Sequence, residues 1–134
     1  MKLLRSNKIP MKNFEYKKAR QFLQQKEIKR QKILNERFLR ANSDFEKIKD
    51  LIIQKYNPKR IWQWGSLLNR DKFSEISDID IAVEGITSAK IFFKMYGDVM
   101  NLSEFSIDLI QIEKIESEFA DTIKSGGKIV YECR

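Results

Sequence analysis

The chain has 134 residues, which is room for one compact domain, or for one domain with a long appendage. It contains no histidine and a single cysteine, Cys133, so histidine general bases, histidine-based zinc sites and internal disulfides are excluded. The net charge of +7 is unevenly divided, because residues 1–60 carry 18 Lys and Arg against 6 Asp and Glu, whereas residues 61–134 carry 8 against 13. No apolar run approaches the roughly 20 residues that span a bilayer, and the N-terminus lacks the apolar core of a secretory signal. We therefore expect a protein of the reducing cytoplasm that does not enter membranes.

After a flexible lead-in over residues 1–11, the basic half is predicted to be helical. Residues 13–42 are mostly good helix formers without Gly or Pro. A stripe of apolar residues with helical spacing then crosses the Asn42–Ser43 junction: Leu34, Phe38, Ala41, Phe45, Ile48 and Ile52. Ser43–Glu46 has the pattern of a capping box, so the segment forms either two helices, over 13–41 and 44–56, or one long helix. Asn57–Pro58 ends it.

The acidic half alternates between short β-prone runs and helical runs. Strands are predicted over residues 60–64, 78–83, 105–112 and 128–131, and helices over 87–102 and 114–125. Thr87 is predicted to cap the first of these helices, with Ile91, Phe92, Met95 and Met100 facing inward. This alternation is typical of an α/β domain. We divide the chain into a basic helical extension, residues 1–42, and a catalytic domain, residues 43–134.

Three aspartates stand at positions that suggest metal binding. Asp78 and Asp80 are two residues apart in a predicted strand, so their side chains share one face, about 6–7 Å apart. Paired carboxylates on an otherwise apolar strand are costly unless a cation lies between them. Asp108, between Ile107 and Leu109, repeats the pattern on another strand. Because only oxygen ligands are available, the expected metal is Mg²⁺, or Mn²⁺ in its place.

Gly65 and Ser66 follow the first predicted strand. A glycine there lets the backbone approach a ligand closely, and backbone N–H groups together with the Ser66 hydroxyl are suited to phosphate. A Gly–Ser pair alone is an ordinary turn. Followed by Ser77-Asp78-Ile-Asp80, it becomes a specific pattern.

Together, Gly65–Ser66, Ser77-Asp78-Ile-Asp80 and Phe105-Ser-Ile-Asp108-Leu resemble the polymerase-beta-like nucleotidyltransferase superfamily. The short chain resembles its minimal nucleotidyltransferases, over about residues 43–131. The resemblance implies an α+β fold with a small mixed sheet flanked by helices, two Mg²⁺ ions, and transfer of a nucleoside monophosphate, AMP from ATP above all, to a hydroxyl. It implies that Asp78, Asp80 and Asp108 bind the metals and carry the catalysis, and that Gly65 and Ser66 hold the outer phosphates. Minimal nucleotidyltransferases often act as antitoxins that modify a HEPN-type ribonuclease toxin, so the resemblance also implies such a partner and a tyrosine of it as acceptor.

Two features depart from this family pattern. Many relatives have an arginine three residues after the serine, where this chain has Asn69; the next residue, Arg70, either replaces it in binding the nucleotide or faces solvent. The basic extension is not explained by the family. It is a solvated helix packing on its own domain or on a second copy in a homo-oligomer, a surface for RNA, or a docking site for an acidic protein. A non-catalytic module that binds a partner protein or RNA is the alternative function.

Overall fold

The computed structural model describes residues 12–134, and the predicted lead-in over residues 1–11 lies outside them. By its internal contacts the chain forms two compact units, divided between Asn35 and Glu36. The boundary that we placed after residue 42 stays a prediction. The second unit carries all the strands and is the subject of this subsection and the next.

The basic half forms one continuous helix, α1, over Lys12–Tyr56. The alternative of two helices is therefore wrong, and Ser43–Glu46 does not cap a helix, because it lies within one. Asn42 is accommodated inside the helix by donating from its side chain to the Phe38 carbonyl oxygen, at 3.0 Å. Asn57 ends α1 with a positive φ of 53°, a conformation that asparagine tolerates better than most residues, and Pro58 follows.

Four strands form one mixed sheet. They are β1 (Arg60–Trp64), β2 (Ile79–Glu84), β3 (Ile107–Gln111) and β4 (Lys128–Glu132). Their order across the sheet is β3-β2-β1-β4; β1 is antiparallel to both of its neighbours, and β2 and β3 are parallel. All four predicted strands are present, with ends that differ by at most two residues. The chain thus has the mixed sheet and flanking helices expected of the α+β class.

Two further helices connect the strands: α2 (Ala89–Met100) and α3 (Ser117–Gly126). The side chain of Ser88, not of Thr87 as predicted, caps α2 by accepting a hydrogen bond from the Ile91 N–H at 3.3 Å. Met95 is buried as expected, but Ile91 and Met100 are 46% and 40% exposed. The inward face of α2 is instead completed by Val99, four residues after Met95 and therefore on the same side of the helix.

The two faces of the sheet have different environments. One face carries the cluster in which Trp62 and Ala82 of the sheet lie with Ala120 and Ile123 of α3. Side chains alternate between faces along each strand, so Ile79, Ile81 and Val83, all fully buried, belong to the opposite face. Within residues 12–134, no helix combines the length and the apolar character needed to cross a bilayer.

Candidate active site

Asp80 on β2 and Asp108 on the edge strand β3 lie side by side in the sheet. Asp80 is the register partner of Asp108 across the parallel β2–β3 pair, and of Trp64 across the antiparallel β1–β2 pair. Directly paired residues project from the same face, and neighbouring strands are about 4.8 Å apart. The two carboxylates and the Trp64 side chain therefore form one row across the face that α3 covers further along the strands.

Asp78 precedes β2 by one residue and is exposed. The strand is held in place where it begins, because the Ile79 N–H donates to the Ser106 carbonyl oxygen at 2.9 Å. The turn before it is closed by Ser77, whose hydroxyl accepts from the Ser74 N–H at 2.8 Å and whose N–H donates to the Ser74 carbonyl oxygen at 3.2 Å. The serine that precedes the aspartates in the sequence motif thus orders the loop that delivers Asp78.

The backbone of Gly65 is in direct contact with Asp80. Gly65 has a φ of 85°, and a methyl group built on it would lie 1.9 Å from Asp80 Oδ2. Both observations require glycine at this position. A tight turn follows, in which the Gly65 carbonyl oxygen accepts from the Leu68 N–H at 3.2 Å, and buried Leu67 anchors the turn to the core. The Gly–Ser pair and the aspartates, which the sequence separates by eleven residues, therefore belong to one site.

Asp78, Asp80 and Asp108 concentrate negative charge at this site. Burial, and then the charges of Asp108 and Asp78, raise the pKa of Asp80 from 3.8 to about 6. Asp80 is 9% exposed, whereas Asp78 and Asp108 are exposed. Among residues 12–134 no lysine or arginine contributes to the shift. Such a cluster attracts a cation, because a cation would remove both the repulsion between carboxylates and the cost of burying one of them.

The donor set suits a divalent ion that is shared with a substrate. Within the described part of the chain, no group of three or more acidic or cysteine side chains converges tightly enough to enclose an ion by itself. Mg²⁺ seldom needs such a cage, since it commonly binds one or two carboxylates and completes its octahedron with water and substrate phosphates. The three carboxylates are hard oxygen donors, and Asp80 also contacts the Gly65 turn, so they are compatible with that mode of binding.

The departure from the family pattern at Asn69 has a local structural reason. The Asn69 side chain accepts a hydrogen bond from the Asp71 N–H at 2.9 Å and caps the short turn over Arg70–Lys72. An arginine has no acceptor and would lose this contact. Arg70 lies with its guanidinium 5.9 Å from the centre of the Phe38 ring, and its part in nucleotide binding stays a prediction.

Phe119 is a neighbour of the site that sequence reasoning missed. Its ring meets Trp64 edge to face, with centroids 5.4 Å apart and an interplanar angle of 87°, and it is 38% exposed. Trp64 is half-buried and shares its row with Asp80. No sequence pattern links Phe119 to Trp64, because their contact depends on where α3 packs on the sheet.

Comparison with known proteins identifies this arrangement. Residues 46–134 match the family described as polymerase beta, nucleotidyltransferase. The chain belongs to this family. It is a nucleotidyltransferase, and the resemblance inferred from the three motifs is confirmed. No curated protein matches the chain in sequence.

Three solved structures with a similar fold come from toxin–antitoxin complexes. A chain of the MntA–HepT crystal structure is 17% identical to this nucleotidyltransferase with a TM-score of 0.53, covering 69% of this chain and 73% of that chain. A chain from the complex of a tri-AMPylated Shewanella oneidensis HEPN toxin with MNT antitoxin is 17% identical, with a TM-score of 0.52 and the same coverages. A third, from a toxin–antitoxin structure with AMP-PNP, is 18% identical with a TM-score of 0.54, covering 66% of this chain and 74% of that chain. At these identities the likeness concerns the fold.

Proposed function

We propose that this nucleotidyltransferase transfers AMP from ATP to a hydroxyl of a HEPN-type toxin, preferably a tyrosine, and so acts as its antitoxin. The observation that carries the proposal is the packing of Gly65 against Asp80, which in turn is paired with Asp108. It joins a phosphate-binding turn to metal-binding carboxylates at one place. The solved neighbours supply the choice of substrate and partner, since one contains AMP-PNP and another an AMPylated HEPN toxin with its MNT antitoxin. We place the reaction in the cytoplasm, where ATP and Mg²⁺ are available.

Asp78, Asp80 and Asp108 would hold two Mg²⁺ ions, or Mn²⁺ in their place. The raised pKa of Asp80 supports this assignment, because burial first, and then the charges of Asp108 and Asp78, make its ionised form costly, and a cation would relieve that cost. When bound, the metal supplies charge neutralisation for the triphosphate and for the pyrophosphate that leaves. An oxygen-only set of ligands agrees with a chain that has no histidine.

The remaining work falls to the protein's own groups. Gly65 and Ser66 would hold the outer phosphates, with Arg70 as a further donor, so that the α-phosphorus lies over the carboxylates. Asp108, which is exposed whereas its register partner Asp80 is buried, would take the proton of the acceptor hydroxyl. The acceptor oxygen then forms a bond to the α-phosphorus while the bond from that phosphorus to the bridging oxygen breaks, and pyrophosphate departs.

Calorimetric titration with ATP, with and without Mg²⁺, tests the site. We expect the wild type to bind ATP only with Mg²⁺, and Asp78→Asn/Asp80→Asn to lose that binding. Asp50→Asn/Asp121→Asn is the matched control, because both residues are exposed and the change in charge is the same. Equal binding by the wild type and the site variant would contradict the proposed site and favour a non-catalytic module.

The acceptor is tested by transfer of label. ATP labelled at the α-phosphate is incubated with the protein and a HEPN-type toxin, and we expect label on the toxin, but none when the label is on the γ-phosphate. Label that appears on RNA instead would agree with nucleotidyltransferase activity but would contradict the toxin as its acceptor.

A further inference from the structure

We propose that residues 13–33, here called the basic arm, bind single-stranded RNA. The basic arm contains seven Lys and Arg against two Glu and no Asp. Every residue from 13 to 30 is exposed. The inference is independent of the proposed AMP transfer, because it rests on the first compact unit alone.

The basic arm exposes aromatic rings beside its cations. Phe14, Tyr16 and Phe22 are between 60% and 69% exposed. Each lies under a cation four residues further along the helix, at 5.5 Å for Lys18 over Phe14, 5.2 Å for Arg20 over Tyr16 and 5.6 Å for Lys26 over Phe22. Each pair places a ring that can stack on a base beside a cation that can meet a phosphate.

The distribution of these side chains argues against a protein groove or a membrane as the partner. At about 100° per residue, Phe14, Tyr16 and Phe22 point to three different sides of the helix. A helix that docks in a groove, or lies on a bilayer, gathers its apolar residues on one side. A flexible polyanion with unpaired bases has no such requirement, because it can wrap around a helix and contact cations on several sides.

Single-stranded RNA is favoured over a duplex for a steric reason. The major groove of double-helical RNA is too deep and narrow for side chains to read, so aromatic stacking needs bases that are unpaired. The exposed rings of the basic arm can therefore stack only on unpaired bases. Stacking and phosphate contacts also predict separable effects, since only the phosphate contacts release counterions and depend on salt.

Fluorescence anisotropy with a labelled single-stranded oligoribonucleotide of about 20 nucleotides measures both effects. We expect Lys17→Gln/Lys29→Gln/Lys32→Gln to weaken binding at least about tenfold and to lower the slope of log K against log salt by about 2. The matched control is Lys90→Gln/Lys114→Gln/Lys124→Gln, three exposed lysines outside the basic arm, for which we expect a change below about twofold. Glutamine preserves helix propensity, and circular dichroism verifies the helix.

The aromatic residues are tested separately by Phe14→Ala/Phe22→Ala, which leaves all charges in place. We expect weaker binding at every salt concentration with an unchanged slope, and little effect on the affinity for the same RNA in duplex form. The variant Asp78→Asn/Asp80→Asn should bind RNA like the wild type, so that failure of the nucleotide site and failure of the arm are distinguishable. Absence of RNA binding by the wild type, or equal losses in the two lysine variants, would overturn the proposal; unchanged affinity of the aromatic variant would overturn the preference for unpaired RNA.

Discussion

Gly65 and Asp80 approach each other so closely that a methyl group on Gly65 would lie 1.9 Å from Asp80 Oδ2. Gly65 directly follows β1, and Asp80 is opposite the last residue of that strand, Trp64. The contact therefore fixes the Gly65–Ser66 turn against the side chain of Asp80. Its sensitivity to a single methyl group makes it the sharpest place to test the site.

Gly65→Ala is expected to destabilise the fold by at least about 2 kcal/mol and to abolish nucleotide transfer. The added methyl group displaces the Asp80 carboxylate, and alanine at a φ of 85° is strained besides. Thermal unfolding and transfer from labelled ATP measure the two effects. Gly97→Ala is the control, because a methyl group there meets nothing within 4 Å and the residue lies inside α2, so stability should rise by about 0.5–1 kcal/mol. Normal activity of Gly65→Ala would contradict the geometry of the site.

Because the pKa of Asp80 is raised, this residue should destabilise the folded protein as pH rises, whereas a carboxyl group with a lowered pKa would stabilise it. Its folded-state pKa of about 6 exceeds the usual 3.8, so the folded protein binds more protons than the unfolded chain between these values. Its contribution to stability therefore falls as pH rises through this window, and the loss is complete above about pH 6. Asp80→Asn should raise the free energy of unfolding by about 1–2 kcal/mol near neutral pH, after allowance for solvent screening, and by little near pH 4.

Chemical denaturation across this pH range, without divalent cations, checks the sign. Asp121→Asn serves as the control, because that residue is exposed and lies on α3. Adding Mg²⁺ with ATP should reverse the ranking, since the wild type gains binding energy that Asp80→Asn cannot. If Asp80→Asn gained the same stability at both ends of the pH range, burial and the neighbouring carboxylates would not be disfavouring the ionised form of Asp80.

Local sequence patterns were sufficient for the strands and for the three aspartates. Alternation of Asp and Ile across β2 predicts a shared face for Asp78 and Asp80, and the sheet then adds Asp108 through its parallel register. The structure also brings Gly65 to Asp80, as the motif implies. Each of these features depends on residues close in sequence or on one strand pairing.

Features that depend on competition between local signals were predicted less well. Ser43–Glu46 has the pattern of a helix start, yet the surrounding turns already satisfy the backbone, so α1 continues through it. Side-chain packing between distant elements depends even less on the local sequence. The contact of Trp64 with Phe119 is set by the position of α3 on the sheet, about which the spacing of these two residues carries no information.

Arg70 is expected to contribute to ATP binding in place of the arginine that many relatives have one residue earlier. The guanidinium of Arg70 lies 5.9 Å from the centre of the Phe38 ring, and its planar set of N–H donors matches the geometry of a phosphate. Arg70→Gln should raise the KM for ATP about tenfold with a smaller change in kcat, as steady-state kinetics would show. Lys72→Gln removes the same charge from an exposed side chain two residues away and should leave the KM within about twofold. Equal effects of the two substitutions would mean that Arg70 acts only through its positive charge and makes no specific contact with ATP.

Trp64 should report nucleotide binding through its fluorescence. It shares a row with Asp80 and Asp108, whereas Trp62, the other tryptophan, lies beside Ala82 in the buried cluster under α3. Bound Mg²⁺ and triphosphate would change the field at the nearer indole far more than at the buried one, because charge interactions weaken with distance and with the protein that lies between. A titration with Mg²⁺ and ATP should therefore give a saturable emission change that Trp64→Phe loses and Trp62→Phe largely keeps, with circular dichroism verifying that both variants fold. If Trp62→Phe abolished the response and Trp64→Phe retained it, the nucleotide would have to bind away from the row of carboxylates.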